Sequence, residues 1–369
     1  MVDFLFAGQF IHLSWATIAQ VAMLGFIGGT LSGFIGSGGA FFMTPGMMNL
    51  GVPGPIAVAS NITHKFGKAM VGSKKHGEMG HVDRRLAIFM LVTAAIGINL
   101  AVLVMKLMFA GESGDKAAGH SAGANLYISL VFAIVLLLVS VSMLRDVARG
   151  RKAEDAKPSR RIVDFLDRLG LPPKISFPVA DVRVSIWVIL ICGLATGYLA
   201  GTIGVGGFIG VPAMIYVFGV PAAVAAGTEL YLAMFMGAYG AINYGMNGMV
   251  DLRLVLLLYL GSLVGIHLGA YGTRVVREVF IRLTTATIIL LCVLSRIIVI
   301  PVYLRQLHLI DMDPGLDPIL NGASKALLYA SGLIGAAIIV GMVLRAYFER
   351  RRVHASLVAT RTAGDGNIS

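Results

Sequence analysis

Two glycine clusters, Gly36-Ser37-Gly38-Gly39 and Gly204-Val205-Gly206-Gly207, stand 168 residues apart, each in the middle of a long apolar run. Each is followed by a short apolar piece ending in the same turn, Gly51-Val52-Pro53 and Gly219-Val220-Pro221. The offset of 168 continues well past them. Gly72, Gly77, Gly80, Val82, Asp83, Arg85 and Leu86 recur as Gly240, Gly245, Gly248, Val250, Asp251, Arg253 and Leu254, and Gly97-Ile98 as Gly265-Ile266. A fixed offset over so many positions is an internal duplication. Glycine clusters break helices, because glycine loses the most backbone entropy on ordering. Broken helices at matching positions of two halves point to the binding site of a transporter.

The apolar runs decide the environment. Only 13% of the 369 residues are charged and 57% are hydrophobic, against about 25% charged in soluble domains. Runs of spanning length, about 20 residues, fall at 17–35, 55–75, 86–109, 124–144, 185–203, 221–245, 252–272, 280–300 and 322–344. The pieces 40–51 and 208–219 are too short to span and read as half-helices or re-entrant segments. The expected fold is an all-α polytopic membrane protein of two inverted repeats with Gly-broken helices, about nine transmembrane helices plus two short half-helices. The divisions are 1–144 for the first repeat, 145–184 for a basic cytoplasmic linker, and 185–300 for the second repeat. An extra helix follows at 301–344, then a basic cytoplasmic tail at 345–369.

The net charge of +11 would suggest nucleic acid in a soluble chain; here it marks loops. Basic residues cluster around Lys74, Lys75, Arg84 and Arg85, in 145–184, at Arg274, Arg277 and Arg282, and at Arg350 to Arg352. The positive-inside rule makes these cytoplasmic. The loops 110–123, 246–253 and 301–321 then face outward, with the N-terminus outside and the C-terminus inside. The basic loop moves by one place between the repeats, as opposite orientations require. It follows that 17–75 and 185–245 each cross the membrane a net odd number of times. A re-entrant excursion plus one span satisfies this, and so do three crossings. In the linker, Ile162, Phe165, Leu166 and Leu169 have the spacing of a short amphipathic helix on the membrane surface. Residues 1–15 carry no basic n-region, so the first helix is expected to serve as its own insertion signal.

The motif set resembles the TauE/SafE sulfite exporter family. The resemblance rests on Gly-x-Gly-Gly in each half, the Gly-Val-Pro turns, and the segments Gly80-His81-Val82-Asp83-Arg84-Arg85 and Gly248-Met249-Val250-Asp251-Leu252-Arg253. It covers about 20–300 and implies a multi-pass transporter of the bacterial inner membrane. The implied substrates are small sulfur-containing anions of the sulfite, sulfonate or thiosulfate class.

The candidate substrate-binding residues are Gly36, Ser37, Gly38, Gly39, Asn61, His64, Lys65, Gly204, Gly206, Gly207, Thr228 and Glu229. An unwound glycine segment that opens a half-helix offers N–H groups and a positive dipole end to an oxyanion; close helix packing would also call for glycine. Lys65 falls near mid-span, where a charge costs about 3 kcal/mol on insertion scales, with Asn61 one turn before it. Alternatively the helix ends early, and Lys65 and Lys68 snorkel to the interface. Glu229 aligns with Asn61 and either carries a proton or neutralises Lys65. Asn99 and His267, aligned with each other, read as interhelical hydrogen bonds. Asp83 and Asp251 read as helix caps, and Arg296 as a snorkelling side chain.

No nucleophile–base pair, metal motif or cofactor fingerprint points to an enzyme, and Cys192 and Cys292 lack metal or disulfide spacing. The expectation is therefore no cofactor, no metal and no nucleic acid. The partners expected are a small anionic substrate and the lipid bilayer, and a homodimer is allowed.

Overall fold

The structure, a computed structural model, describes residues 11, 13–35, 39–110, 122–149, 172–204, 206–275 and 278–365. The amphipathic segment expected at 162–169, and Gly36, Ser37 and Gly38, lie outside the described residues. Helices dominate: α1 (Trp15–Ile35), the short α2 (Ala40–Asn49), α3 (Gly54–Glu78), α4 (Arg84–Ala110) and α5 (Ala122–Ala148). A hairpin of β1 (Lys174–Phe177) and β2 (Val182–Ser185), which the sequence reading did not anticipate, precedes α6 (Ile186–Ile203). Next come α7 (Gly207–Pro212), continued by a π turn over Ala213–Val217, then α8 (Ala222–Met246), α9 (Leu252–Val275), α10 (Glu278–Gln306) and α11 (Asp317–Asp365). Eight of these helices are long and apolar enough to cross a membrane; the polar α3 is not among them. The protein is an all-α polytopic membrane protein.

Glycines set the helix pairings. A Cβ on Gly25 would lie 2.5 Å from the Leu258 carbonyl oxygen, and one on Gly29 equally close to that of Ser262, so α1 and α9 run parallel with their backbones nearly touching. The same contact recurs 168 residues on, with the partners exchanged: a Cβ on Gly193 would lie 2.5 Å from the Met90 carbonyl, and Gly197 faces Ala94. Thus α6 runs parallel to α4. Small residues at four-residue spacing allow this approach, which matters in lipid, where no hydrophobic force draws helices together.

The remaining pairing fixes the relative orientation of the repeats. Gly240 faces Ile62, Gly237 faces Phe66 and Gly72 faces Leu230, so α3 and α8 are antiparallel. They are equivalent helices of the two repeats, and the contact of 62 with 240 maps onto that of 72 with 230 under the 168-residue shift. Equivalent helices that cross side by side in opposite directions make the repeats inverted.

Both short helices fold back. Gly39 packs on Gly28 and Gly46 on Leu24, so α2 returns antiparallel along α1. In the same way Gly206 faces Ala200 and Gly210 faces Thr196, so α7 returns along α6. Each pair is a re-entrant hairpin that enters and leaves at one end of the bundle, followed by one helix, α3 or α8, that runs on to the other end. Of the two ways of meeting the odd crossing number, the chain uses the re-entrant one. Following these directions places the C-terminal ends of α3, α5 and α9 at one end, next to basic stretches of the sequence, and those of α4, α8 and α10 at the other. Finally, α10 and α11 are antiparallel: Ser295 meets Ser324, and Gly335 packs on Ile288.

Candidate functional site

The tips of the two hairpins meet inside the bundle, and the C-terminal end of α6 shows how. Helix ends leave carbonyls without intrahelical donors, and in a dry interior each needs a partner. Gly204, in the left-handed region at φ 75°, donates from its N–H to the Ala200 carbonyl. The Tyr244 hydroxyl donates to the Gly201 carbonyl at 2.7 Å, and the Thr44 hydroxyl donates to that of Ile203 at 3.2 Å. Asn61 Nδ2 in turn donates to Thr44 Oγ1 at 2.8 Å. Three elements, α2, α3 and α8, therefore close the break in α6. Any side chain at Gly204 would be strained by its φ and would press on Asn61 Nδ2 at 2.9 Å.

Beyond this seal, α3 presents Lys65. The helix continues to Glu78, so Lys65 is well inside it, and its side chain is 12% exposed. It does not reach an interface. A Cβ on Gly206 would lie 3.5 Å from Lys65 Nζ, so the break in the second hairpin lies against the ammonium. Glu229 Oε1 stands 3.9 Å from Lys65 Nζ, and the Glu229 side chain is 3% exposed. Neither carboxylate oxygen has a hydrogen-bond donor among the described residues, and nor does the nearby Thr196 hydroxyl have a partner. Gly210 lets α7 pass here, since a Cβ would collide with the Glu229 carboxylate. Lys68 lies three residues on along α3, on the next turn. Two lysine amines and one carboxyl group thus share this interior.

The other candidates divide. Asn61, Lys65, Gly204, Gly206 and Glu229 come together, with Gly207 opening α7 beside them. His64, buried, instead turns to α9, where Nε2 is 2.8 Å from Ser262 Oγ and the ring lies 4.6 Å from that of Tyr259. Thr228 points toward the start of α4, its hydroxyl accepting from Asp83 N–H at 3.0 Å. Gly39 packs on α1, where a Cβ would run into the Gly28 carbonyl. Asp83 caps α4 as expected, accepting from Leu86 N–H, and its second oxygen accepts from Ala180 N–H in the β-hairpin. Asp251 likewise caps α9, accepting from Arg253 N–H at 3.0 Å, and it also pairs with the Arg253 guanidinium at 2.7 Å. Asn99 links α4 to Tyr239 and Asn243 of α8, an interhelical bond as expected, whereas His267 bonds the Leu263 carbonyl of its own helix.

The sequence reading missed Thr44, Gly210 and Tyr244. Thr44 left a signal, as the one hydroxyl in an otherwise apolar half-helix. Gly210 and Tyr244 gave none, since their counterparts 168 residues earlier are Phe42 and His76. Arg296 is corrected outright. It is 1% exposed and bonds Asn49 and Ser324. The side chain points across the bundle, where those polar partners replace the water it would otherwise seek.

No solved structure matches the chain. Among curated proteins, a Bacillus subtilis "probable membrane transporter protein", YjnA, is 23% identical over 254 residues, covering 68% of this chain and 89% of its own. A second from that organism, YunE, is 24% identical over 280 residues, 73% of this chain and 91% of its own. One from Xylella fastidiosa is 25% identical over 255 residues, 68% of this chain and 83% of its own. The model of the family described as "Sulfite exporter TauE/SafE" matches residues 21–296. That span holds both re-entrant hairpins and the Lys65–Glu229 pair between them, and the chain belongs to the TauE/SafE sulfite exporter family.

Proposed function

We propose that the chain exports small sulfur-containing anions of the sulfite, sulfonate or thiosulfate class by alternating access. The observation that carries this reading is a buried lysine, Lys65, held against the glycine break of the second hairpin. An anion entering there meets charge-assisted donors from Lys65 and an amide from Asn61. Inverted repeats supply the movement, since the two hairpins can exchange conformations about a fixed site. The membrane potential supplies the direction. With the inside negative it favours outward movement of an anion by roughly 2.3 kcal/mol per charge per 100 mV.

In this reading the protein lies in the bacterial inner membrane with its basic end in the cytoplasm. Cysteines at Asn247 and Met79 test this: the first should react with an impermeant maleimide from outside, the second only from inside. The reverse pattern overturns the orientation and with it the direction of export.

A second reading is favoured by Glu229. A carboxylate within ion-pair distance of Lys65 competes with the substrate anion for it, so protonation of Glu229 would free Lys65 for substrate. Proton-coupled import follows if the proton and the anion travel together. Proteoliposome flux of labelled sulfite and a sulfonate, measured under imposed voltage and then under an imposed pH gradient, separates the two. Export driven by voltage alone supports the first reading, and strict dependence on the proton gradient supports the second. No flux of any sulfur anion overturns both.

A further inference from the structure

At the end of the bundle opposite the basic loops lies a second buried cation, far from Lys65 in the fold. Arg296 of α10 donates from Nη2 to Asn49 Oδ1, at the C-terminus of α2, and to Ser324 Oγ of α11 at 2.9 Å. Ser324 is itself bound to Ser295. Arg296 Nε and Nη1 have no hydrogen-bond partner among the described residues, and nor does Asn49 Nδ2. All three orphan atoms are donors. No acidic side chain pairs with Arg296 among the described residues; the phenol of Tyr303, seven residues on along α10, is its neutral acceptor on that side. Asp317, on the same helix as Ser324, is taken by Arg305.

The end of α2 offers partial compensation, since a helix C-terminus carries about half a negative charge. Clamping that helix end would be reason enough for an arginine. It does not explain a full charge left with two unused donor nitrogens, nor an amide donor left beside them. Asn49 and Tyr303, which stand beside Arg296, line a cavity of about 210 Å³ together with Asn125, Gln306 and Asn321, and Arg296 lies behind that lining. A buried cation without a counter-ion is costly, and an acceptor-only ligand removes that cost.

We propose that Arg296 and Asn49 form a second anion site, which takes a small oxyanion at the mouth of the first re-entrant hairpin. Nη1 offers a charge-assisted donor to one oxygen of the anion, and Asn49 Nδ2 offers a second donor beside it; Nε, which faces the Nη2 side of the guanidinium, does not join them. Because Asn49 ends α2 and Thr44 of the same helix seals the central break, an anion bound here touches the hairpin that closes the centre. Its service as a way station on the export route rests on the transport reading; its existence as a site does not.

The test is isothermal titration of the detergent-purified full-length protein with sodium sulfite, ionic strength being held with gluconate. Wild type should show two classes of site. Arg296→Gln keeps a donor toward Asn49 and Ser324 but removes the charge, and should weaken one class at least tenfold. Asn49→Asp places a carboxylate against the guanidinium, neutralises it internally, and should weaken the same class while folding at least as well as wild type. Lys65→Met should remove only the other class. Retention of both classes in folded Asn49→Asp or Arg296→Gln overturns the proposal, as does a single class in wild type that Lys65→Met abolishes. A single class abolished by Arg296→Gln and untouched by Lys65→Met upholds the second site and overturns the central one.

Discussion

The two re-entrant hairpins descend from one duplicated segment, yet they handle their breaks differently. In the second, Gly204 takes a positive φ, and the carbonyls behind it are bound by Thr44 and Tyr244 from other helices. In the first, the described end of the break, Gly39, is spent on close packing against Gly28 of its own hairpin. Charge is also divided. Position 61 is an asparagine and its counterpart 229 a glutamate, while Lys65 corresponds to Ala233. The scaffold is symmetric to the level of individual glycine contacts, and the chemistry is not. One repeat supplies the cation and the other the carboxylate. Duplication gives the framework, and divergence at a few inward positions gives it the Lys65–Glu229 pair.

The largest effect should come from the glycine that packs backbone on backbone. A Cβ at Gly39 meets the carbonyl of Gly28, which no rotamer change can relieve. Gly39→Ala should therefore cost about 3 kcal/mol or more and lower the yield of monodisperse protein. Gly51→Ala is the control: Gly51, unlike Gly39, has a positive φ, 89°, but nothing stands within 4 Å of its added Cβ. It should lose only the left-handed strain, about 1–2 kcal/mol. Equal thermal shifts for the two would mean that the first hairpin is not closely packed and that the contrast between hairpins is false.

Next comes the cation. Lys65→Met should weaken anion binding roughly ten- to a hundred-fold, the range of a charge-assisted hydrogen bond of about 1.5–3 kcal/mol. Because Lys65 has Glu229 beside it, this change also leaves a buried carboxylate without its cation and should destabilise the empty protein. The double variant Lys65→Met/Glu229→Gln removes both charges. It should recover the stability and not the binding, as read by thermal unfolding and titration on the same preparations. Lys74→Met, exposed near the end of α3, should leave binding intact.

Glu229→Gln sharpens the comparison from the other side by making the second repeat resemble Asn61 of the first. If Glu229 competes with substrate for Lys65, anion affinity should rise by about tenfold, or ~1.4 kcal/mol, and the pH dependence of flux should flatten. Asn61→Asp, which makes the first repeat resemble the second, should lower affinity. Falling affinity in Glu229→Gln would mean that the carboxylate holds Lys65 in place rather than competing with the anion.

Much of the architecture could be read from the chain because inverted duplication writes itself twice. The 168-residue offset announced the repeats, and the shifted basic loops announced their opposition. The antiparallel pairing of α3 with α8 is the three-dimensional form of that shift. Lys65, Asn61 and Glu229 stood out because a polar group in an apolar run is conspicuous. His64 and Thr228 stood out for the same reason, and both serve helix contacts instead. The pattern tells which residues are polar, not which way each faces. Arg296 was misjudged for a related reason. Its distance from the helix end suggested snorkelling, while Asn49 and Ser324, its partners, lie 247 and 28 residues away in sequence.

The smallest effect concerns the seal itself. Thr44 has no counterpart in the second hairpin, where its position is Pro212. Its hydroxyl does two things at once, donating to the Ile203 carbonyl and accepting from Asn61. Thr44→Val keeps the shape and removes both bonds, leaving a carbonyl and an amide donor unpaired in a dry interior. A lost buried partner costs about 1–3 kcal/mol, and the 3.2 Å length of the bond to Ile203 puts this case near the lower end. Thr44→Ser keeps the hydroxyl and should stay close to wild type. The sharper readout is anion affinity. With its bond to Thr44 gone, the Asn61 amide is held less firmly, and affinity should fall a few-fold in Thr44→Val but not in Thr44→Ser. If Thr44→Val loses stability while affinity is unchanged, Thr44 only closes the helix end, Asn61 is not positioned by it, and the first hairpin contributes packing to the centre and nothing to its chemistry.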